Sequence, residues 1–109
     1  MEAKLRDIRH YITEEGMVPF QEWFNSLKDV NAQNRTNIRL NRLRLGLFGD
    51  TNRIGEGVHE LKVDYGPGYR VYFANEGNTI VILLCGGDKK TQKQDIQKAK
   101  VYWADYKKR

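Results

Sequence analysis

GVHELKVDYGPGYRVYFANEGNTIVILLCGGDKKTQKQ, residues 57–94, is the stretch whose reading decides the fold. Two turn signals divide it. Asp64-Tyr65-Gly66-Pro67-Gly68 separates two alternating runs, and Asn75-Glu76-Gly77-Asn78 separates the second run from a third. Alternation broken by Gly, Pro and Asn marks strands joined by tight turns, so the stretch predicts a three-stranded antiparallel meander. Closure of the first hairpin about Gly66 sets Lys62 opposite Arg70 and Glu60 opposite Tyr72, all on one face by the period of two. Leu61, Val63, Tyr69, Val71 and Phe73 take the other face, and His59 goes with them. The third strand, Thr79 to Cys85, is apolar on both faces and therefore central, with the N-terminal strand as its second neighbour.

The same register brings Gly86-Gly87-Asp88-Lys89-Lys90 out beside Arg70 and Lys62. Thr91-Gln92-Lys93-Gln94 then has the form of a capping box, Thr at the N-cap and Gln three residues on, which predicts a helix start. A helix N-terminus offers N–H groups to anions. Lys62, Arg70 and Lys89, with Lys90, Thr91 and Lys93 at the helix start, read either as a phosphate cradle or as solvated strand-end charges.

Outward from this stretch, Leu5 to Ile12 alternates as an edge strand. Pro19 opens a short helix whose Phe20, Trp23, Phe24 and Leu27 fall on one face, a core pattern rather than a base-stacking platform. Asp29 caps a second helix from about Val30 to Leu45, ending near Gly46. Leu40, Leu43 and Leu47 share an arc of it, with Ile38 and Leu45 nearly opposite, so both sides are expected to meet something. Arg35, Arg39 and Arg42 form a further stripe suited to RNA backbone or to an acidic protein segment, or else a solvated face. The last helix, Gln92 to about Tyr106, turns Ile96, Ala99, Trp103 and Tyr106 to the sheet, and the basic tail is expected to fray.

The 109 residues make one domain, residues 1–109, of order strand, helix, helix, three strands, helix. This is an α+β fold with a mainly antiparallel four-stranded sheet, helices on one face, and the opposite face left concave and polar under Glu60, Lys62, Arg70 and Tyr72. A formal charge of +5 favours a polyanionic or acidic partner. No apolar run is long enough for a membrane span and the N-terminus lacks a signal-peptide core, so a cytoplasmic protein is expected, with no membrane partner. The single Cys85 lies in the apolar run IVILLC and reads as a buried thiol; with two His and one Cys no metal site and no cofactor is expected.

The arginine-rich second helix running into Arg44-Leu45-Gly46-Leu47-Phe48-Gly49-Asp50, the stretches Val58-His59-Glu60-Leu61-Lys62 and Gly68-Tyr69-Arg70-Val71-Tyr72-Phe73, and Gly86-Gly87-Asp88-Lys89 leading to Thr91-Gln92 and Asp95-Ile96 together resemble the RelE/ParE toxin superfamily. The nearest likeness is to its HigB-like addiction module killer branch, related to phage Gp49-type proteins. The resemblance implies a RelE-like β-α-α-β-β-β-α fold and the toxin of a bacterial type II toxin-antitoxin module. It also implies a helix-turn-helix DNA-binding antitoxin as partner, and metal-independent cleavage of mRNA on the ribosome. Arg70 matches the family's strand arginine, Lys62 lies near its strand lysine, and Lys89 falls in its basic loop.

In that chemistry the RNA 2′-OH attacks the adjacent phosphate, with Arg70 stabilising charge and Lys62 or Glu60 as base. The chain lacks a match to the late catalytic tyrosine of RelE and the histidine pairs of some HigB-type enzymes. A ParE-type toxin binding DNA gyrase without nuclease activity, and a non-toxic RNA-binding phage accessory protein, are the other readings on the same scaffold.

Overall fold

The computed structural model describes residues 5–109, and within them the chain forms five strands and three helices. In order these are β1 (Asp7–His10), α1 (Pro19–Ser26), α2 (Val30–Arg44), β2 (Thr51–Gly55), β3 (Val58–Val63), β4 (Tyr69–Glu76), β5 (Ile80–Asp88) and α3 (Gln92–Lys108). All strands join one sheet of order β1-β5-β4-β3-β2. β1 pairs parallel to β5, and every other pairing is antiparallel.

The meander closes as its turns require. Val63 pairs with Tyr69 across Gly66, Lys62 with Arg70 and Glu60 with Tyr72. β5 is central, between β4 and β1, and its alternation feeds two cores. Ile82 and Leu84 join Tyr72, Ala74, Ala99 and Trp103 on one side. Val81 and Leu83 join Phe20, Leu43, Leu61, Val71 and Phe73 on the other.

These two cores correct the expected architecture. α1 and α2 cover one face, whereas α3 lies on the face expected to stay concave and polar. That face has enough apolar side chains to need a cover: Val58, Ala74, Ile82, Leu84 and Tyr11 would otherwise be wet. The sheet also gains a strand over the expected four. Thr51-Asn52-Arg53-Ile54-Gly55 returns to β3 through a turn in which Glu56 takes a positive φ of 56° between Gly55 and Gly57. Its polar composition hides the strand, because an edge strand with one exposed face needs few apolar residues.

A bulge in β5, opposite the Tyr72–Phe73 step of β4, leaves Leu84 without its own partner, since Tyr72 faces Cys85 and Phe73 faces Leu83. Beyond the bulge the alternation is shifted by one. Gly86 therefore meets α1, where an added Cβ would lie 2.2 Å from the Trp23 ring, and Gly87 meets α3, where it would lie 1.8 Å from Asp95 Oδ2.

The helices begin where their start signals stand. Pro19 opens α1, and the Asp29 carboxylate accepts from the amides of Asn31 and Ala32 at the start of α2. Leu43 and Leu40 of α2 pack inward, but Ile38 and Leu45 stay exposed at 50% and 43%. The Thr91 capping box does not form: Thr91 makes no side-chain cap bond, and its own amide donates to Asp88 Oδ1 at 3.1 Å. Nor does the tail fray as expected. α3 runs to Lys108, and Arg109 donates to Ile12 O at 2.6 Å and to the Asp105 carboxylate.

Candidate nucleic-acid interface

At the turn end of the meander, Lys62 of β3, Arg70 of β4 and Gly87 of β5 stand side by side, Lys62 against Arg70 and Arg70 against Gly87. They share a face with Glu60 and Tyr72, as the period of two requires. Gly87 contributes no side chain, and the space beside Arg70 is taken by the first turn of α3. The loop that follows is fastened to the hairpin by the Lys89 amide, which donates to Gly68 O at 3.0 Å. The same turn carbonyl accepts from Arg70 Nη1 at 3.2 Å.

Arg70 is almost covered, and its Nε stands 3.7 Å from Glu60 Oε2. Glu60, only 2% exposed, is the hub of this buried polar group. Its Oε2 accepts from the Tyr72 hydroxyl at 3.1 Å and from Gln92 Nε2 at 2.8 Å, so one carboxylate joins β3, β4 and the first residue of α3. Burial first, then the Glu60 charge and hydrogen bond, push the Tyr72 hydroxyl far above its usual range. Tyr72 is thus a neutral donor. Glu60, one of the two candidate bases, is committed to orienting Arg70 and Gln92.

Lys62 is half-buried, while Lys89, Lys90, Thr91 and Lys93 are exposed around the start of α3. Two carboxylates stand among them. The Thr91 hydroxyl lies between Asp88 and Asp95 and donates to Asp95 Oδ2. Burial raises the Asp95 carboxyl above its ordinary value against the pull of Thr91 and Lys98. The helix N-terminus is therefore already answered by acidic groups, and cationic side chains, more than the dipole, give this corner its attraction for phosphate.

The arginine stripe of α2 divides. Arg39 points inward: Nη1 donates to Lys62 O, and Nη2 to Phe48 O and Asp50 O at 3.1 and 3.3 Å. It ties α2 to the loop before β2 and to the backbone of Lys62 itself. Arg35 lies over the Tyr65 ring at 4.8 Å, and the Tyr65 hydroxyl donates to Asp29 Oδ2 at 2.8 Å. Arg35 and Arg42 line a groove of about 690 Å³ with Ile38, Val63 and Tyr65. His59 lies on the other face, stacked on Phe73 at 5.2 Å, away from Lys62 and Arg70.

The family described as Phage derived protein Gp49-like (DUF891) matches residues 22–105, which run from within α1 to the last turn of α3 and include every side chain of this corner. The chain belongs to that family. The Gp49-like family is related to RelE- and HigB-like toxins. An uncharacterized protein of Haemophilus influenzae (strain Rd) is 48% identical over 82 residues, covering 75% of this chain and 83% of that protein.

Within this Gp49-like chain, sequence reasoning anticipated Lys62, Arg70 and the loop after β5 but missed Asp95, Gln92 and the roles of the two glycines. Thr91 and Asp95 are spaced i, i+4, a neighbour pair on a helix, and that spacing was the available signal. No helix among the described residues is long and apolar enough to cross a membrane.

Proposed function

We infer that this Gp49-like chain is the toxin of a type II toxin-antitoxin module and acts in the cytoplasm as a ribosome-dependent mRNA endonuclease. The observation that carries the reading is the cross-strand row of Lys62 and Arg70, with the Lys89 loop fastened to the same turn at Gly68. Two cations are cross-strand partners at one sheet end and the loop that carries a third is tied to the same turn, and phosphoryl chemistry needs little beyond positioned positive charge and a proton acceptor.

In the proposed step the RNA 2′-oxygen attacks phosphorus and its proton passes to Lys62 as the base. The P–O5′ bond breaks as the leaving O5′ takes a proton from water, leaving a 2′,3′-cyclic phosphate and a 5′-hydroxyl. Arg70, held by Glu60 and the Gly68 carbonyl, faces the negative charge that builds on the phosphate oxygens. Lys89, Lys90 and Lys93 add attraction for the backbone, and the ribosome supplies the orientation that a shallow basic surface lacks.

A second reading has its own observation. Ile38, Leu45 and Leu47 of the α2 region are exposed beside Arg35 and Arg42, a mixed apolar and cationic surface suited to a protein. This favours an antitoxin segment there and keeps gyrase binding as the alternative activity.

Induction of the chain without its antitoxin, followed by mapping of mRNA 5′ ends, tests the reading. Codon-phased cleavage in translated messages is expected for the wild type. Lys62→Ala and Lys89→Ala, which alter exposed or half-exposed groups, should lower it at unchanged helical content. Intact mRNA with gyrase-dependent DNA breaks would replace the endonuclease reading by the gyrase one.

A further inference from the structure

On the face of the sheet away from Lys62 and Arg70, two adjoining clefts of about 320 and 370 Å³ share Arg53, His59 and Asn75. The first is completed by Phe48, Thr51 and Phe73. Its walls are three flat rings in near-parallel array. His59 stacks on Phe73 with 16° between their planes, and Phe48 lies 3° from the plane of Phe73 at 6.5 Å between centroids.

The polar groups of the clefts are few and of one kind. Arg53 is exposed at the rim on the edge strand β2, and among the described residues no Asp or Glu lines either cleft. Asn75 lines both, and its Oδ1 is buried without a hydrogen-bond partner. An orphan acceptor at a cleft wall costs free energy until a donor meets it, and rotation of the carboxamide turns either its oxygen or its amide to an incoming ligand. Burial, and then the Arg53 charge, lower the His59 pKa from 6.5, so the imidazole is neutral and stacks without carrying charge into the cleft.

Flat rings, a cation at the mouth, an amide at the wall and an absence of lining acids match one chemistry. We propose that this cleft binds a single nucleobase, stacked against His59 beside the Phe48 ring that Arg6 covers, with its phosphate toward Arg53 and its exocyclic amine toward Asn75. The base comes from a free nucleotide or from an unstacked position of single-stranded RNA, and both present the same ring, edge and phosphate. His59 and Lys62 are an odd number of residues apart on β3, so the bound base is not the one flanking a phosphate at Arg70. The site stands independently of the endonuclease reading.

Isothermal titration of the full chain with AMP, GMP, CMP and UMP, and with a short single-stranded RNA, tests the proposal. Saturable binding is expected. It should weaken about tenfold or more in His59→Ala, in line with the loss of one base stack, and in Arg53→Gln, whose exposed side chain can be changed without touching the core. Purine riboside monophosphate, lacking the exocyclic amine, should bind less tightly than AMP to the wild type and equally to Asn75→Ala. Lys62→Ala should leave nucleotide binding intact, which separates this site from the phosphate row. Mononucleotides as tight as the oligonucleotide identify a free nucleotide as ligand; binding by the oligonucleotide alone, weakened by His59→Ala, identifies an RNA base. Absence of saturable binding by any of them, or binding unchanged in both His59→Ala and Arg53→Gln, overturns the proposal.

Discussion

Gly87 and Asp95 meet with no room between them: a Cβ on Gly87 would stand 1.8 Å from Asp95 Oδ2 and 2.9 Å from Thr91 Oγ1. The missing side chain lets the first turn of α3 seat against β5 beside Arg70. Gly87→Ala should therefore cost about 1–3 kcal/mol, the range for overpacking a closed site. Urea unfolding reads the loss, and Asp95→Ala in the same chain should recover part of it. A cost within about 0.5 kcal/mol, the range of ordinary surface changes, would mean that α3 is free to shift there.

Asp95 also sets a pH dependence. Burial raises its folded-state pKa above the unfolded value of 3.8. The folded chain then binds this proton more tightly than the unfolded chain. Its contribution to stability is present below the unfolded pKa and is lost as pH rises through the folded one. Asp95→Asn keeps a hydrogen-bonding group without the ionisation. Relative to wild type, the variant should gain stability as pH rises from about 3 and level off above the folded pKa. A difference independent of pH between those limits would contradict the buried, costly carboxylate.

Glu60→Ala should be among the more damaging substitutions, by about 3 kcal/mol or more, because it leaves the Arg70 guanidinium buried without its ion-pair partner and the Tyr72 hydroxyl buried without its acceptor. Glu60→Gln keeps an acceptor oxygen and loses only the charge, so it should fall between Glu60→Ala and wild type in chemical denaturation. Equal stability of all three chains would remove Glu60 from the centre of this group.

The arginine stripe should separate by stability. Arg39→Ala frees three backbone carbonyls and is expected to cost about 1–3 kcal/mol, whereas Arg42→Ala, on the exposed side of α2, should stay within about 0.5 kcal/mol. Thermal melts of the two variants against wild type check this. Similar losses would mean that Arg42 has a structural partner as well.

Burial pushes the Cys85 thiol up to about 12, first by desolvation and then by the Asp95 charge. At pH 8 it should resist a disulfide reagent in the folded chain and react fully once the chain is denatured. Rapid labelling of the native protein would show that α3 opens from the sheet.

How much of this was legible follows from where the information is local. The register of Lys62 against Arg70 was readable because a symmetric turn about Gly66 and strict alternation fix it within twelve residues. The facing of Gly86 and Gly87 was not, because the bulge at Leu84 shifts the alternation of β5 and has no sequence mark of its own. The position of α3 was missed for a different reason. Its apolar face was recognised, but which side of the sheet it covers depends on Val58 of β3, Ala74 of β4 and Tyr11 just past β1 collecting on one face. For the candidate site, the pairing of Lys62 with Arg70 followed from the register, yet Arg39 and Arg42, alike in sequence, have opposite settings that only the carbonyls around Phe48 and Asp50 decide.

Asp7 pairs with Ile80, so the first of the five strands has no partner until the last one exists. Contacts so distant along the chain are slow to form, since the loop must close before they repay it. A ribosome making this protein emits β1, both early helices and three strands before the central strand arrives, and the Lys62-Arg70-Gly87 row is complete only with that strand. For a chain proposed to act on translation, this order of assembly is a timer: the translating machinery has nearly finished the molecule before the molecule has anything with which to attack it.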